Sequence, residues 1–213
     1  MMKNFIKFTV LCVLAALSVV LGSALVFAEE TPIVDSDMTF AEAVQNMPMA
    51  APKNIMESLE LVRVHYFSLD GKLHQGQILV HRELVDEVQE FFRLAREHRF
   101  PIYSVIPISS PRFDWSDDKS MQANNSSGFN YRLIAGKDVL SKHAYGRAID
   151  INPQLNPYIL NGVSQPAGAV YEPGKPGVFT SDSPLVVYLR KQGWSWGGDW
   201  VAPRPQDNHH FQK

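Results

Sequence analysis

Two short stretches of the chain combine histidine and acidic residues at spacings that suit metal chemistry. The first has the pattern S-x-H-x-x-G-x-A-x-D and runs from Ser141 to Asp150. A histidine on a loop and an aspartate on the following strand can bind one cation, so His143 and Asp150 are candidate ligands. Gly146 lets the backbone turn between them, and Ala148 leaves space beside the site.

The second stretch, Asp207-Asn208-His209-His210-Phe211, lies at the C-terminus. His210 can supply a third ligand, and a catalytic zinc site needs three protein ligands with one position open to water. Zinc lowers the pKa of water in that position to ~7, so a nearby carboxylate such as Asp207 is a candidate general base. Two histidines and one carboxylate suit zinc, with non-haem iron as the alternative on ligand type alone.

The other histidines lack such partners. Four of them have no acidic or histidine residue at ligand spacing and are predicted to lie at the surface or at an edge: His65, His74, His81 and His98. His209 would point away from His210 if both lay in one strand, because side chains alternate along a strand. We therefore assign His209 no role in the site.

Short helices and strands must position these side chains. Alternating residues predict a hairpin with strands at 61–66 and 77–80 and a turn at 69–72. Apolar residues at helical spacing predict an amphipathic helix over 82–99, which Pro101 ends. These residues are Leu84, Val88, Phe91 and Ala95.

The rest of the chain is predicted to alternate between irregular and regular segments. Ser183 and Pro184 favour the start of a second helix, as N-cap and first helical residue. The other predicted segments are a buried strand at 102–108, a loop at 114–129, a strand at 148–151, an irregular insertion at 161–180 and terminal strands at 194–200 and 209–212. Helices and strands are mixed without a βαβ rhythm, so the predicted fold class is α+β.

The first 28 residues are predicted to be a secretory signal peptide. Lys3 and Lys7 precede an apolar run that ends in Val26-Phe27-Ala28, and we expect cleavage after Ala28. An uncleaved membrane anchor is the alternative, because the run reaches the ~20 residues that a spanning helix needs. The chain is therefore expected to be exported to the periplasm, the extracellular space or the cell wall.

Composition limits the remaining function classes. The net charge is -2 and the pI about 6.4, which provides no basic surface for a nucleic acid. Removing residues 1–28 also removes the one cysteine, so the mature protein has no disulfide or thiol chemistry. We expect a monomer without a nucleic-acid partner, with a linker or N-terminal arm at 29–56 and one domain at 57–213.

The two metal-binding patterns resemble those of the zinc D-alanyl-D-alanine carboxypeptidases of the VanY type. The similarity is greatest to the branch that includes L-alanyl-D-glutamate peptidases. Other stretches also resemble that branch: Gly193 to Trp200, Ser120-Met121, Asn124-Asn125 and Phe129 to Arg132. The resemblance spans roughly 61–212. It implies a small α+β domain with a central antiparallel sheet, similar to hedgehog signalling domains.

The resemblance also implies roles for individual residues. Zinc would be held by His143, Asp150 and His210, and Asp207 would be the catalytic acid and base. Arg132 resembles an arginine that contacts the substrate carbonyl or carboxylate, although its local sequence Phe-Asn-Tyr-Arg departs from the Gly-Tyr-Arg-Ser of many members. Ser141 would contact the substrate or steady the loop before His143.

These observations favour an exported zinc peptidase that acts on peptidoglycan stem peptides, next to D-amino acids. Both a D-alanyl-D-alanine carboxypeptidase and an L-alanyl-D-glutamate endopeptidase fit the motifs. A non-catalytic, zinc-stabilised cell-wall-binding module is the alternative from another class. Asp207 favours catalysis, because a structural zinc site needs no carboxylate three residues before its last ligand. Trp194, Trp196 and Trp200 are expected in the core rather than against the substrate.

Overall fold

The chain folds into short strands and helices in a mixed arrangement that agrees with the α+β class. A computed structural model describes residues 31–213, and the predicted signal peptide lies outside the described residues. Within this part the strands are β1 (Ile33–Val34), β2 (Leu59–Phe67), β3 (Leu73–His81), β4 (Ser104–Val105), β5 (Asn125–Ser126), β6 (Ala148–Asp150), β7 (Tyr158–Leu160), β8 (Val163–Gln165), β9 (Ser195–Trp196), β10 (Gln206–Asp207) and β11 (His210–Gln212). The α-helices are α1 (Phe40–Val44), α2 (Lys53–Met56), α3 (Val85–Glu97), α4 (Asp117–Gln122) and α5 (Pro184–Lys191).

Strands β2 and β3 form the predicted hairpin. They pair antiparallel over their full length, from Leu59 opposite His81 to Phe67 opposite Leu73. The turn requires the left-handed backbone of Gly71, whose φ is 77°, and its N–H donates to Ser68 O at 2.9 Å. The alternating side chains of β2 enter the core, as the sequence pattern predicts.

Helix α3 packs against this hairpin. Its buried face consists of Val88, Phe91, Phe92 and Ala95. Burial of each Val or Phe contributes about 1.5–3 kcal/mol, so this face is a main source of stability. The observed helix begins three residues later than predicted, because Arg82–Leu84 form a 3-10 turn before it. No helix within residues 31–213 has the length and apolar character needed to cross a membrane.

The strands are divided among four small sheets. Their strand orders are β1-β3-β2, β10-β7-β8, β6-β11-β9 and β4-β5. Among the strands of residues 31–213, only the β1/β3 and β4/β5 pairs are parallel. The single central antiparallel sheet expected from the resemblance is therefore not confirmed, because the described part contains four small sheets. Most of these strands have two or three residues, which is too short to support one continuous ladder of hydrogen bonds.

Two predicted segments differ from the structure because polar side chains bind the backbone. The loop predicted at 114–129 contains helix α4, which Ser116 caps by accepting a hydrogen bond from Lys119 N at 3.2 Å. The strand predicted at 102–108 pairs only at Ser104–Val105. The Asn125 side chain binds both Ile106 N, at 3.0 Å, and Ile106 O, at 2.9 Å, and so takes the place of a partner strand.

The segment 161–180 is predicted to be irregular, but its first residues form the turn and the second strand of a hairpin. Strands β7 and β8 are joined by Asn161 and Gly162, with φ values of 50° and 78°. Consecutive positive φ angles at Asn-Gly are typical of a tight hairpin turn. This hairpin extends one side of the cleft described below.

The N-terminal segment packs against the domain. Strand β1 pairs with β3, and Gln45 O accepts a 2.8 Å hydrogen bond from the Trp115 indole. The Asp35 carboxylate accepts hydrogen bonds from the Tyr66 hydroxyl and from His74 Nδ1. The prediction that His74 lies at the surface is therefore wrong, because Asp35, distant in sequence, covers it.

Candidate metal centre and active site

Strand pairing brings two of the predicted ligands together. Asp150 ends β6 and His210 begins β11, and the register places them opposite each other. The backbone of Asp150 is also paired on its other side, where its N–H donates to Ser127 O at 2.8 Å. Two residues that are 60 positions apart in sequence are thus fixed side by side by main-chain hydrogen bonds.

His143 reaches the same point from a 3-10 turn, Lys142–Tyr145. Ser141 caps this turn, with its hydroxyl accepting a 3.3 Å hydrogen bond from His143 N. Gly146 ends it in the left-handed conformation, with φ 65°. A side chain at Gly146 would place a Cβ 2.6 Å from His81 N, so glycine is required both by the turn and by the adjacent strand.

The three side chains place their donor atoms in one tight triangle. His143 Nε2 lies 3.1 Å from His210 Nδ1 and 3.1 Å from Asp150 Oδ2, and His210 Nδ1 lies 2.9 Å from Asp150 Oδ1. Tetrahedral bonds of ~2.0–2.1 Å place ligand atoms about 3.3 Å apart, so this spacing fits one metal ion. All three residues are buried. The donor set, two imidazoles and one carboxylate, is also that of catalytic zinc sites.

Hydrogen bonds on the far side of each imidazole orient these ligands. His143 Nδ1 donates to Gly128 O at 2.6 Å, which leaves Nε2 free to bind a cation. His210 Nε2 donates to the Gln212 side-chain oxygen at 3.0 Å, which leaves Nδ1 free. Each imidazole is therefore held in the tautomer that a metal requires.

The pKa values of two residues in the triangle, Asp150 and His210, depend on the charges of their neighbours. Burial alone would raise the pKa of Asp150, but the charges of His143 and His209 and the hydrogen bonds from His143 and His210 hold it well below its usual range. Burial would lower the pKa of His210, but its hydrogen bond to Asp150 outweighs this effect and raises the pKa. Protons and a metal ion compete for the imidazole nitrogens, so the affinity for metal should fall as the pH falls.

Asp207 lies beside this triangle in strand β10, which pairs with Tyr158 of β7. Its side chain is 15% exposed and lines the same cleft as the three ligands. Asp207 Oδ1 is buried and lies 3.0 Å from the imidazole Nε2 of the buried His209. A carboxylate held in this position can accept a proton from a reactant bound in the cleft.

The tryptophan-rich stretch from Gly193 to Trp200 supports this strand. Gly197 packs directly against the backbone of Asp207, and any side chain there would overlap Asp207 O. The buried Trp196 donates its indole N–H to Asn208 O at 2.9 Å. The expectation that the tryptophans belong to the core is correct for Trp194 and Trp196, whereas Trp200 is half-buried and lines the cleft, with its ring 5.6 Å from that of His210.

A cleft of about 1460 Å³ opens above the triangle. Its floor includes the three ligands and Asp207. Its walls include part of the hairpin β7–β8, the segment 131–142 and residues beside helix α2. The N-terminal segment therefore contributes to the cleft as well as to the core.

One comparison with known families matches the segment that contains this arrangement. The family model of D-alanyl-D-alanine carboxypeptidases matches residues 135–213, which include both metal-binding patterns. The resemblance to the D-alanyl-D-alanine carboxypeptidase family is confirmed over this segment. No curated protein and no solved structure is significantly similar to the chain.

Sequence reasoning missed one residue inside the segment that matches the carboxypeptidases. His209 is buried, and its Nε2 lies 3.0 Å from Asp207 Oδ1 while its Nδ1 donates to Asn156 O at 2.8 Å. It lies in the turn between β10 and β11, so the alternation of a strand does not apply. Burial would lower its pKa, but the carboxylates of Asp207 and Asp150 raise it to about 10.

We expect His209→Ala to keep the metal but to lower kcat about tenfold, because Asp207 loses the buried side chain that positions it. His209→Gln should recover part of the activity, since its amide can still donate to Asp207. Metal content by mass spectrometry and steady-state kinetics test both variants. Loss of metal in both, or equal losses of kcat in both, would contradict a positioning role.

Ser141 and Arg132 are linked through the backbone. Ser141 N donates to Arg132 O at 3.0 Å, and the Ser141 hydroxyl holds the turn that carries His143. Of the two roles that the resemblance implies for Ser141, steadying the loop is the one visible in its contacts. Arg132 lies outside the segment that matches the carboxypeptidases, and its guanidinium forms a 2.7 Å ion pair with Asp117.

Proposed function

We propose that the protein is an exported zinc-dependent peptidase that hydrolyses bonds next to D-amino acids in peptidoglycan stem peptides. The observation that carries this proposal is the triangle of His143, Asp150 and His210 on the floor of an open cleft, within the segment that matches the carboxypeptidases. The buried position of the triangle and its hydrogen-bonded imidazoles support a resident metal. Zinc suits this donor set best.

The residues of the cleft divide the chemistry among them. Zinc, when bound to the triangle, would polarise the scissile carbonyl and make water acidic. The Asp207 carboxylate would take a proton from the attacking water and deliver it to the leaving amine nitrogen. His209 would hold Asp207 in place from the protein side. Arg132, on the cleft wall, would bind an oxygen of the substrate.

Asp207 also supports this proposal over a non-catalytic binding module. A structural zinc site is closed and needs no further acid beside it. Here Asp207 lines the same cleft as the three ligands and is positioned by His209, 3.0 Å from its Oδ1, as a proton-transfer group requires and a structural site does not.

Purified protein incubated with muropeptides should release fragments cut next to a D-residue, and an all-L protein such as casein should remain intact. Mass spectrometry identifies the bond, and a chelator should stop the reaction until zinc is restored. Release of D-alanine alone would indicate a carboxypeptidase, and cleavage within the stem would indicate an endopeptidase. Equal cleavage of all-L and D-containing peptides, or binding without turnover, would contradict the proposal.

Export is a separate part of this proposal. We expect the mature protein to begin at Glu29, because the apolar run after Lys7 ends in Val26-Phe27-Ala28. The intact mass of protein recovered from the exported fraction tests the cleavage site. A mass that still includes residues 1–28 would favour the anchored alternative.

A further inference from the structure

We propose that Asp117 determines the specificity of the cleft by neutralising Arg132, so that this arginine binds a neutral backbone carbonyl rather than a free terminal carboxylate. This inference rests on the proposed peptidase function. It favours cleavage of internal peptide bonds, which carry a carbonyl and no terminal charge next to the leaving residue. It also assigns a role to Asp117, a residue that the sequence patterns did not single out.

The contacts of Asp117 use both of its oxygens. Its Oδ2 pairs with Arg132 Nη2 at 2.7 Å, and its Oδ1 accepts a 3.4 Å contact from the Asn130 amide. The backbone of Asn130 in turn donates to His143 O at 3.2 Å. The ion pair is therefore connected to the turn that carries a metal ligand. Arg132 and Asp117 both line the cleft.

The position of Asp117 is built into helix α4. It is the first residue of that helix, directly after the Ser116 cap, where a negative charge interacts favourably with the helix N-terminus. Its side chain is 28% exposed and that of Arg132 is 31% exposed, so solvent screens this pair only in part.

The remaining donors of Arg132 do not form a free fork. A guanidinium binds a carboxylate through two adjacent nitrogens, either Nη1 with Nη2 or Nε with Nη2. Both pairs include Nη2, which Asp117 already engages. Nε is buried out of reach of solvent, while Nη1 makes only a 3.4 Å contact with Leu133 O. A substrate carboxylate that binds through two adjacent nitrogens would therefore have to share Nη2 with Asp117, whereas a single carbonyl oxygen needs only one N–H donor.

Charge leads to the same conclusion. The Arg132–Asp117 pair has no net charge, and a substrate carboxylate beside it would meet the negative charge of Asp117. Three other cations line the cleft and form no salt bridge with an Asp or Glu side chain of the described residues: Lys137, Arg204 and Lys142, whose Nζ contacts Lys213 O at 3.5 Å. Arg204 lies over the Trp200 ring at 5.5 Å. These cations can bind acidic side chains of a peptide in other parts of the cleft, so the neutrality of Arg132 is a local property.

The test compares two ligands that differ only at the C-terminus, N-acetyl-D-alanyl-D-alanine and its C-terminal amide. Binding is measured by calorimetry on zinc-saturated protein that carries Asp207→Asn, so that the ligands stay intact. Asp117→Asn is added as the test, and Asp118→Asn as the matched control. Asp118 is in the same helical turn and has the same charge, but it is exposed and does not line the cleft.

We expect the amide to bind at least as tightly as the free acid when Asp117 is present. Asp117→Asn should tighten binding of the free acid about tenfold and change binding of the amide less than threefold. Asp118→Asn should change neither. A tenfold preference for the free acid that Asp117→Asn leaves unchanged would overturn the inference, as would failure of both ligands to bind.

Turnover by the otherwise unaltered enzyme keeps this inference separate from the proposed function. Hydrolysis of a peptide with a blocked C-terminus would support the peptidase function. If Asp117→Asn also lowers the ratio of KM for the free acid to KM for the blocked peptide, the role of Asp117 is supported as well. Hydrolysis with an unchanged ratio would overturn the role of Asp117 alone. No hydrolysis of any D-containing peptide would overturn the peptidase function, whatever the calorimetry shows.

Discussion

Asp207→Asn is expected to lower kcat by ~10²–10⁴-fold and to leave the zinc content unchanged. Asparagine has nearly the shape of aspartate, but its amide cannot take a proton from the attacking water. Asp207 is not part of the triangle of donor atoms, so the metal should remain bound. Steady-state kinetics on a D-containing peptide and metal analysis of the same sample test both statements.

Asp199→Asn is the control for this variant. Asp199 is in the same tryptophan-rich stretch but pairs with Arg190 and does not line the cleft. Its replacement should leave kcat within a few-fold of the unaltered enzyme. If Asp207→Asn loses zinc, Asp207 is a ligand and the assigned roles are wrong. If it retains full activity, another group is the base.

His143→Ala and His210→Ala are each expected to abolish zinc binding and activity together. Each removes one of three protein ligands and leaves a buried gap next to Asp150, whose pKa is lowered by the histidines around it. Zinc binds the native state, so its loss also lowers the free energy of unfolding, by about 2.7 kcal/mol at a free zinc concentration of 100 times Kd. Metal analysis and thermal unfolding with added zinc measure the two effects.

His98→Ala serves as the control for the two ligand variants. His98 is an exposed residue after helix α3 and makes no contact with the triangle. Its replacement should preserve the zinc content and the increase in Tm caused by zinc. Full zinc occupancy in either His143→Ala or His210→Ala would show that the metal is held elsewhere.

The three residues of the candidate metal triangle could be named from the sequence alone. His143, Asp150 and His210 could be named as candidates because metal binding demands particular donor types, and because the two patterns that contain them resemble those of the zinc carboxypeptidases. The long hairpin and helix α3 were predictable for a related reason. Their apolar residues repeat with periods of about two and 3.6, and these periods depend only on local backbone geometry. Ser183 and Pro184 likewise predict the start of α5.

The side chains that support the site could be recognised only once the chain was folded. The contact of His209 with Asp207 depends on the turn between two short strands, and the pairing of Asp117 with Arg132 depends on a helix too short to show a period. Asp35 covers His74 because the N-terminal segment packs against the domain. The division into four sheets also depends on tertiary contacts, because a strand of two or three residues forms only where another segment pairs with it. Each of these features is a contact between elements, and no repeat or motif within one stretch of sequence encodes it.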